Sequence, residues 1–296
     1  MSNHPSLLDL SDRLDWLTSG NMRPYILARK SNRIQNPGEK FSLHWFPHEP
    51  FFMDALVIND VYFSDALMNM EARAFAEADM AMPRWVFYDC AIMPGFVSGF
   101  AMRTEAVPQS IAKILGPENM KGEWTPISMF IVIPTMREGE WVAHNLSSIN
   151  SLVGPNERYY GLGFLSKAFG LAYANIEVCC GITQWQSPAM RLHSYYGFFE
   201  ILTAYTPAHQ YSRTLTYRLN VNPEQWKYFF TKQESAEFYD KFEPAGILLD
   251  TNDDRQLIDL HMKVQAGEGP FFLDANEIRS KQLDDNLTIY RRKTEG

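Results

Sequence analysis

The sharpest chemistry in this 296-residue chain lies in Val153–Gly163, which read VGPNERYYGLG. A β-prone run ends at Val153, and a loop containing Pro155 follows. Arg158, Gly161 and Gly163 then stand as R-x-x-G-x-G before a helix-prone stretch. Glycines let a backbone approach a phosphate closely and leave its N–H groups uncovered. A helix start adds unpaired N–H donors and a favourable dipole. Arg158 can add charge or brace the loop. Such a junction can cradle a pyrophosphate, and it can equally be a plain chain reversal. It is neither a G-x-G-x-x-G dinucleotide fingerprint nor a P-loop, because no G-K-[ST] follows Gly163. A second block, QSPAMRLHSYYGF, runs from Gln186 to Phe198, one helix and one strand further on.

Taken together, the two blocks resemble the GNAT superfamily of acyl-CoA-dependent N-acyltransferases. V-x-P-x-x-R-x-x-G-x-G is similar to that family's pyrophosphate motif, with Arg158 at its first position. Ala189, Leu192, Gly197 and Phe198 fall at the spacing of the family's N-x-x-A-x-x-L-Y-x-x-x-G-F block. The resemblance spans about residues 51–219. It implies an N-acyltransferase that moves an acyl group, acetyl first, from acyl-CoA directly to an amine, with acetyl-CoA as co-substrate. It implies that Leu162, Gly163 and Phe164 offer N–H groups to the pyrophosphate. Arg158, Tyr159 and Gly161 would line the same cradle, and Gln186 stands where the family has Asn. The oxyanion donor would be a backbone N–H of the strand Trp141–Val153, with Leu152 and Val153 nearest the motif. His193 occupies the position of a family Tyr that protonates the leaving thiolate, and Tyr195 and Tyr196, on different helix faces, are the alternative acids. Strand parity sets His144, Ser148 and Asn150 on the face opposite Val153. The resemblance implies a base on that face when it lies on this strand; the face holds no carboxylate, so His144 becomes the candidate base. Longer acyl-CoA or acyl-carrier donors, and a non-catalytic CoA-binding role, stay open.

These residues need elements to position them. Ser6–Leu17 has apolar spacings of three and four and reads as a helix. Residues 30–50 read as loop, with a strand at Phe41–Phe46. Val61–Ala78 reads as helix. Arg84–Met93 and Phe96–Met102 read as a hairpin about Pro94–Gly95. Ile127–Met136 and Trp141–Val153 read as strands, and Phe164–Asn175 as helix. Val178–Gln184 reads as strand and Pro188–Tyr196 as helix. Phe199–Tyr205 and Thr214–Leu219 read as two strands. Helices are expected near Pro223–Phe242 and Arg255–Ala266, with a strand over Gly269–Leu273. The fold class is α/β (α+β), a GNAT-like mixed and mostly antiparallel central sheet flanked by helices. Its parts are an N-terminal helical and loop extension (1–50), the acyltransferase domain (51–219) and a C-terminal helical extension (220–296).

Composition sets the outer bounds. Net charge is −8 and hydrophobic content 46%, which suits a packed globular chain and disfavours general nucleic-acid binding. Three cysteines, Cys90, Cys179 and Cys180, provide neither a disulfide framework nor a zinc motif. No metal is expected. No signal peptide and no apolar run of membrane-spanning length are read, so the expected location is cytoplasmic, with no membrane partner. The expected partner is a small-molecule or peptide amine, and a homodimer is left open.

Overall fold

The computed structural model describes residues 11–39, 41, 46–57, 60–76, 80–208, 211–233, 236–281 and 286–294. Contacts divide the chain into two compact units, 1–176 and 177–296. The division falls inside the span 51–219 that the motifs assign to one domain.

The first unit opens with a 3-10 turn at Asp12–Leu14 and a single helical turn, α1 (Asp15–Thr18). The expected helix over Ser6–Leu17 is thus shorter within the described residues, and Ser6–Leu10 lie outside them. Leu14 and Leu17 are buried and anchor this segment. Strand β1 (Met22–Leu27) follows, then β2 (Phe51–Met53), α2 (Val61–Ala74) and α3 (Arg84–Ile92). Next come β3 (Phe96–Arg103), α4 (Gln109–Leu115), β4 (Trp124–Pro126), β5 (Ser128–Pro134) and β6 (Glu140–Ser148). The unit closes with α5 (Leu162–Tyr173). Its strands run in the order β2-β1-β3-β5-β6, with β4 also paired to β3. Only β1 and β2 are parallel, and the other pairs are antiparallel.

The second unit begins with β7 (Val178–Gln184), α6 (Pro188–His193), β8 (Gly197–Thr203) and β9 (Thr214–Val221). Then come α7 (Lys227–Thr231), α8 (Glu237–Lys241), β10 (Phe242–Leu249) and α9 (Asp254–Gln265). It ends with β11 (Phe271–Leu273), α10 (Ala275–Ser280) and β12 (Leu287–Arg292). The strands order as β7-β9-β8-β11-β12-β10, antiparallel throughout.

Four readings of the sequence are corrected. Arg84–Met93 is a helix, not the first arm of a hairpin. Phe87, Cys90 and Ala91 are buried at helical spacing while Trp85 is 67% exposed. A short apolar run cannot reveal its own period. The strand over Trp141–Val153 stops at Ser148, and Ile149–Ser151 form a 3-10 turn. The Ser151 hydroxyl donates to the Ser148 carbonyl (2.9 Å) there, a local bond that competes with the ladder. Residues 1–50 are more than an extension, because β1 lies inside the sheet between β2 and β3. Tyr25 and Ile26 are buried as a result. Residues 220–296 are not merely helical, since they supply β10, β11 and β12. Phe238, Phe242 and Phe272 bury a shared aromatic cluster there. The expected strand over Phe41–Phe46 lies largely outside the described residues, as do 77–78 of the expected helix over Val61–Ala78.

Helix α5 seats on the first sheet at very close range. A Cβ added at Gly170 would lie 2.5 Å from Ser98 Oγ and 2.7 Å from a Phe130 ring carbon. The Ser166 hydroxyl lies 2.7 Å from both Ser128 Oγ and the Leu162 carbonyl. Ser128 Oγ in turn accepts the Phe100 N–H at 3.0 Å. Helix α2 is tied to β6 by Glu71. Its carboxylate is fully buried and accepts the Met82 N–H (3.0 Å) and the Asn145 amide (2.9 Å). Burial raises its pKa, and these two bonds lower it by less.

Two outcomes follow. Gly170→Ala should destabilise the protein by about 1–3 kcal/mol through overpacking, measured by urea unfolding. An unchanged unfolding midpoint would contradict the close α5–sheet seating. A carboxylate whose folded pKa is raised holds more protons folded than unfolded. Its contribution to stability is therefore full below its ordinary value of 4.5 and is lost as pH rises through the raised value. The difference in stability between wild type and Glu71→Gln should drift against wild type across that window. A pH-independent difference would sink this account.

Candidate active site

The motif loop lies wholly in the first unit. From the end of β6 the chain makes the Ile149–Ser151 turn, then a second 3-10 turn at Pro155–Glu157. Gly161 adopts φ +74° and serves as N-cap of α5. That left-handed conformation favours glycine because a Cβ would crowd the backbone. The first turn of α5 therefore starts at the spacing read from the sequence. Gly163 and Phe164 stand in that turn, where helix geometry aims the N–H groups along the axis. Leu162 is already engaged, its N–H donating to the Tyr159 carbonyl at 3.1 Å.

A side chain the motif does not contain holds the loop shut. The Asn150 amide donates to the Tyr159 carbonyl (2.7 Å), and its oxygen accepts the Tyr159 N–H (2.9 Å). This two-point clamp spans the loop. Trp16 adds a third tie, donating its indole N–H to the Tyr160 carbonyl at 3.0 Å. The Trp16 ring meets Tyr159 edge-on at 5.9 Å, and the Arg13 guanidinium lies 3.9 Å over the Tyr160 ring. Glu157 bonds the Ser110 hydroxyl of α4. Burial, and then the Glu157 charge, push the Tyr159 phenol pKa upward. Arg158 is exposed.

The expected oxyanion donors are occupied. Val153 is buried, and the N–H groups of Leu152 and Val153 both donate to the Ile149 carbonyl, at 2.9 and 3.1 Å. The strand that was to present them has already turned away. Parity beyond Ser148 therefore does not apply, and Asn150 acts as a clamp and not as a strand-face residue. His144 keeps a strand position of a special kind. The β5–β6 register passes from Ile131↔Asn145 to Val132↔Ala143, which leaves His144 as the extra residue of a β-bulge. It is exposed. Neighbouring protein still excludes enough water to lower its imidazole pKa below 6.5. The neutral ring, able to accept a proton, thus predominates at pH 7. Its neighbour Asn145 is the residue held by Glu71.

The remaining expected site residues lie in the second unit. His193 ends α6, only 7% exposed, with its ring 5.3 Å from that of Tyr217. Tyr196 is fully buried, 6.3 Å from the Trp226 ring, and burial raises its phenol pKa well above the ordinary value. Gln186 is exposed and bonds the Asn252 side chain. Trp185 belongs to the core, donating its indole N–H to the Ala204 carbonyl at 2.7 Å. None of Cys90, Cys179 and Cys180 is held in a disulfide. Among the described residues no group of three or more His, Cys, Asp or Glu could hold a metal. None of the helices described is long and apolar enough to cross a membrane.

Sequence reasoning missed Asn150 as a clamp, and it missed Glu71, Trp16 and Arg13. Asn150 carries a faint local signal, a short amide beside a loop. The other three act across 74 residues or more, as between Glu71 and Asn145 or Trp16 and Tyr160. No local pattern marks such pairs.

No protein-family model matches the chain, and no curated protein matches it. Solved structures do. An acyl-CoA N-acyltransferase from Pseudomonas aeruginosa aligns at 14% identity and TM-score 0.33, over 56% of this chain and 92% of its own. An aminoglycoside 6'-acetyltransferase type Ii aligns at 12% identity and TM-score 0.36, over 56% and 94%. A chain of the NatC complex bound to Gag peptide and CoA aligns at 10% identity and TM-score 0.38, over 56% and 96%. All three TM-scores lie below 0.5, and no residue role is carried across from these structures.

Proposed function

We propose that the chain is an N-acyltransferase that binds acyl-CoA at the Val153–Phe164 loop and passes the acyl group to an amine. One observation carries the reading: Gly161, at φ +74°, opens α5 at the end of an R-x-x-G-x-G loop clamped by Asn150. The residues fit the diphosphate of CoA. The left-handed glycine keeps a Cβ out of the cradle, the first turn of α5 supplies N–H donors, and Arg158 supplies charge. Acetyl is the acyl group proposed first, and the acceptor is a small-molecule or peptide amine. A cytoplasmic setting is part of the same reading.

In this reaction the amine nitrogen bonds to the acyl carbon as the carbon–sulfur bond breaks. The amine must be neutral to attack and must then lose a proton. His144 is the proposed acceptor, exposed on its bulge and neutral at pH 7. Glu71 holds that bulge through Asn145. His193 and Tyr196, the expected acids for the leaving thiolate, belong to the second unit. The near-complete burial of both favours a second reading, CoA binding without transfer.

Calorimetric titration with acetyl-CoA tests the site. Wild type should bind, and Gly161→Asp, folded by thermal melt, should bind at least about tenfold more weakly because charge and bulk enter the cradle. Equal affinity in the folded variant would remove the loop from the site. Turnover against pH tests the base. Activity should fall only as pH drops below the depressed His144 pKa, and His144→Gln should lose about a hundredfold in kcat together with that acid limb. An identical pH profile in His144→Gln would return the histidine to a structural role.

A further inference from the structure

The acyltransferase reading leaves one placement unexplained. Arg13 lies far from the motif in sequence, yet its guanidinium sits 3.9 Å over the Tyr160 ring, one residue before the N-cap of α5. Anchoring the N-terminal segment does not require it. Leu14 and Leu17 are buried, and Trp16 ties the segment to the Tyr160 carbonyl. The side chain of Arg13 has no carboxylate partner among the described residues, although Asp12 and Asp15 flank it. Arg158 likewise has none. By contrast, Arg84, Arg103 and Arg137 of the same unit are paired with Asp65, Glu123 and Glu140. The loop's own carboxylate, Glu157, is turned to Ser110 and does not neutralise either arginine.

A guanidinium resting on an aromatic face gives up none of its in-plane donors, so its N–H fork stays available to a second, anionic partner. Arg13 so placed, together with the exposed Arg158 three residues before the Gly161 N-cap, supplies charge for more than one phosphate. We propose that Arg13 is a second phosphate-binding guanidinium of the acyl-CoA site, carried to the loop by the N-terminal segment; this rests on the acyltransferase reading. Residues 11–18 then act as part of the donor site, and Tyr160 is the platform that orients Arg13.

The test is calorimetric titration of the full chain with CoA across a series of salt concentrations. Wild type, Arg13→Gln and Trp16→Phe are compared. Arg13→Gln should fold normally, because the Arg13 side chain makes no hydrogen bond among the described residues, and should bind CoA about tenfold more weakly. Its affinity should also respond less to salt, since one screened attraction has gone. Trp16→Phe loosens the brace and should keep the wild-type salt response. Full CoA affinity in Arg13→Gln would overturn the proposal and leave the acyltransferase reading standing. Weaker binding with an unchanged salt response would assign Arg13 to bracing alone and also overturn it. A wild type that binds no CoA would defeat both readings.

Discussion

The close seating of α5 on its sheet is the constraint on which the candidate site depends. Gly170 admits Ser98 and Phe130 to distances that a methyl group would forbid. Ser166 and Ser128 add a buried polar tie at 2.7 Å. Buried hydrogen-bonded pairs of this kind fix a helix in rotation as well as in position. With α5 held so, its N-terminus has one location. The loop before it must close the distance from Ser148, and Asn150 clamps that closure at Tyr159.

The other features read as consequences of that geometry. The strand ends early because the chain must turn to reach α5, and the turn consumes the N–H groups of Leu152 and Val153. The same strand is bulged at His144, which leaves an exposed imidazole beside Asn145. Among the described residues Glu71 is buried without a cationic partner, which is costly for a carboxylate unless hydrogen bonds offset it. Its bonds to Met82 and Asn145 do so in part and fasten α2 to the bulged strand. Trp16 and Arg13 reach the loop from outside the motif, so the N-terminal segment belongs to the same arrangement.

Much of the fold was legible. Strands β5, β7, β8 and β9 and helices α2, α5 and α9 lie where apolar periodicity places them, within a few residues. The hairpin over 84–102 failed because RWVFYDCAI is apolar enough to satisfy either period, and tertiary burial of Phe87, Cys90 and Ala91 chose the helix. Strand β11 lies within the strand read over Gly269–Leu273, whereas β10 and β12 were missed: a register shift between Pro244 and Ile247 interrupts β10, and β12 lies in a polar stretch.

The sequence by itself marked the glycine-bearing loop that leads into α5. Left-handed φ at Gly161 and the helix start after it agree with local sterics and spacing, which the order of residues encodes directly. Only the tertiary structure decided which groups attend that loop. Asn150 as a clamp, Glu71 behind the bulge, and Trp16 and Arg13 on the loop are settled by packing between distant segments. Burial of Tyr196 and His193 was decided in the same way, by aromatic neighbours such as Trp226 and Tyr217. Exposure, partners and pKa direction are properties of what surrounds a side chain, and a linear pattern records only its neighbours along the chain.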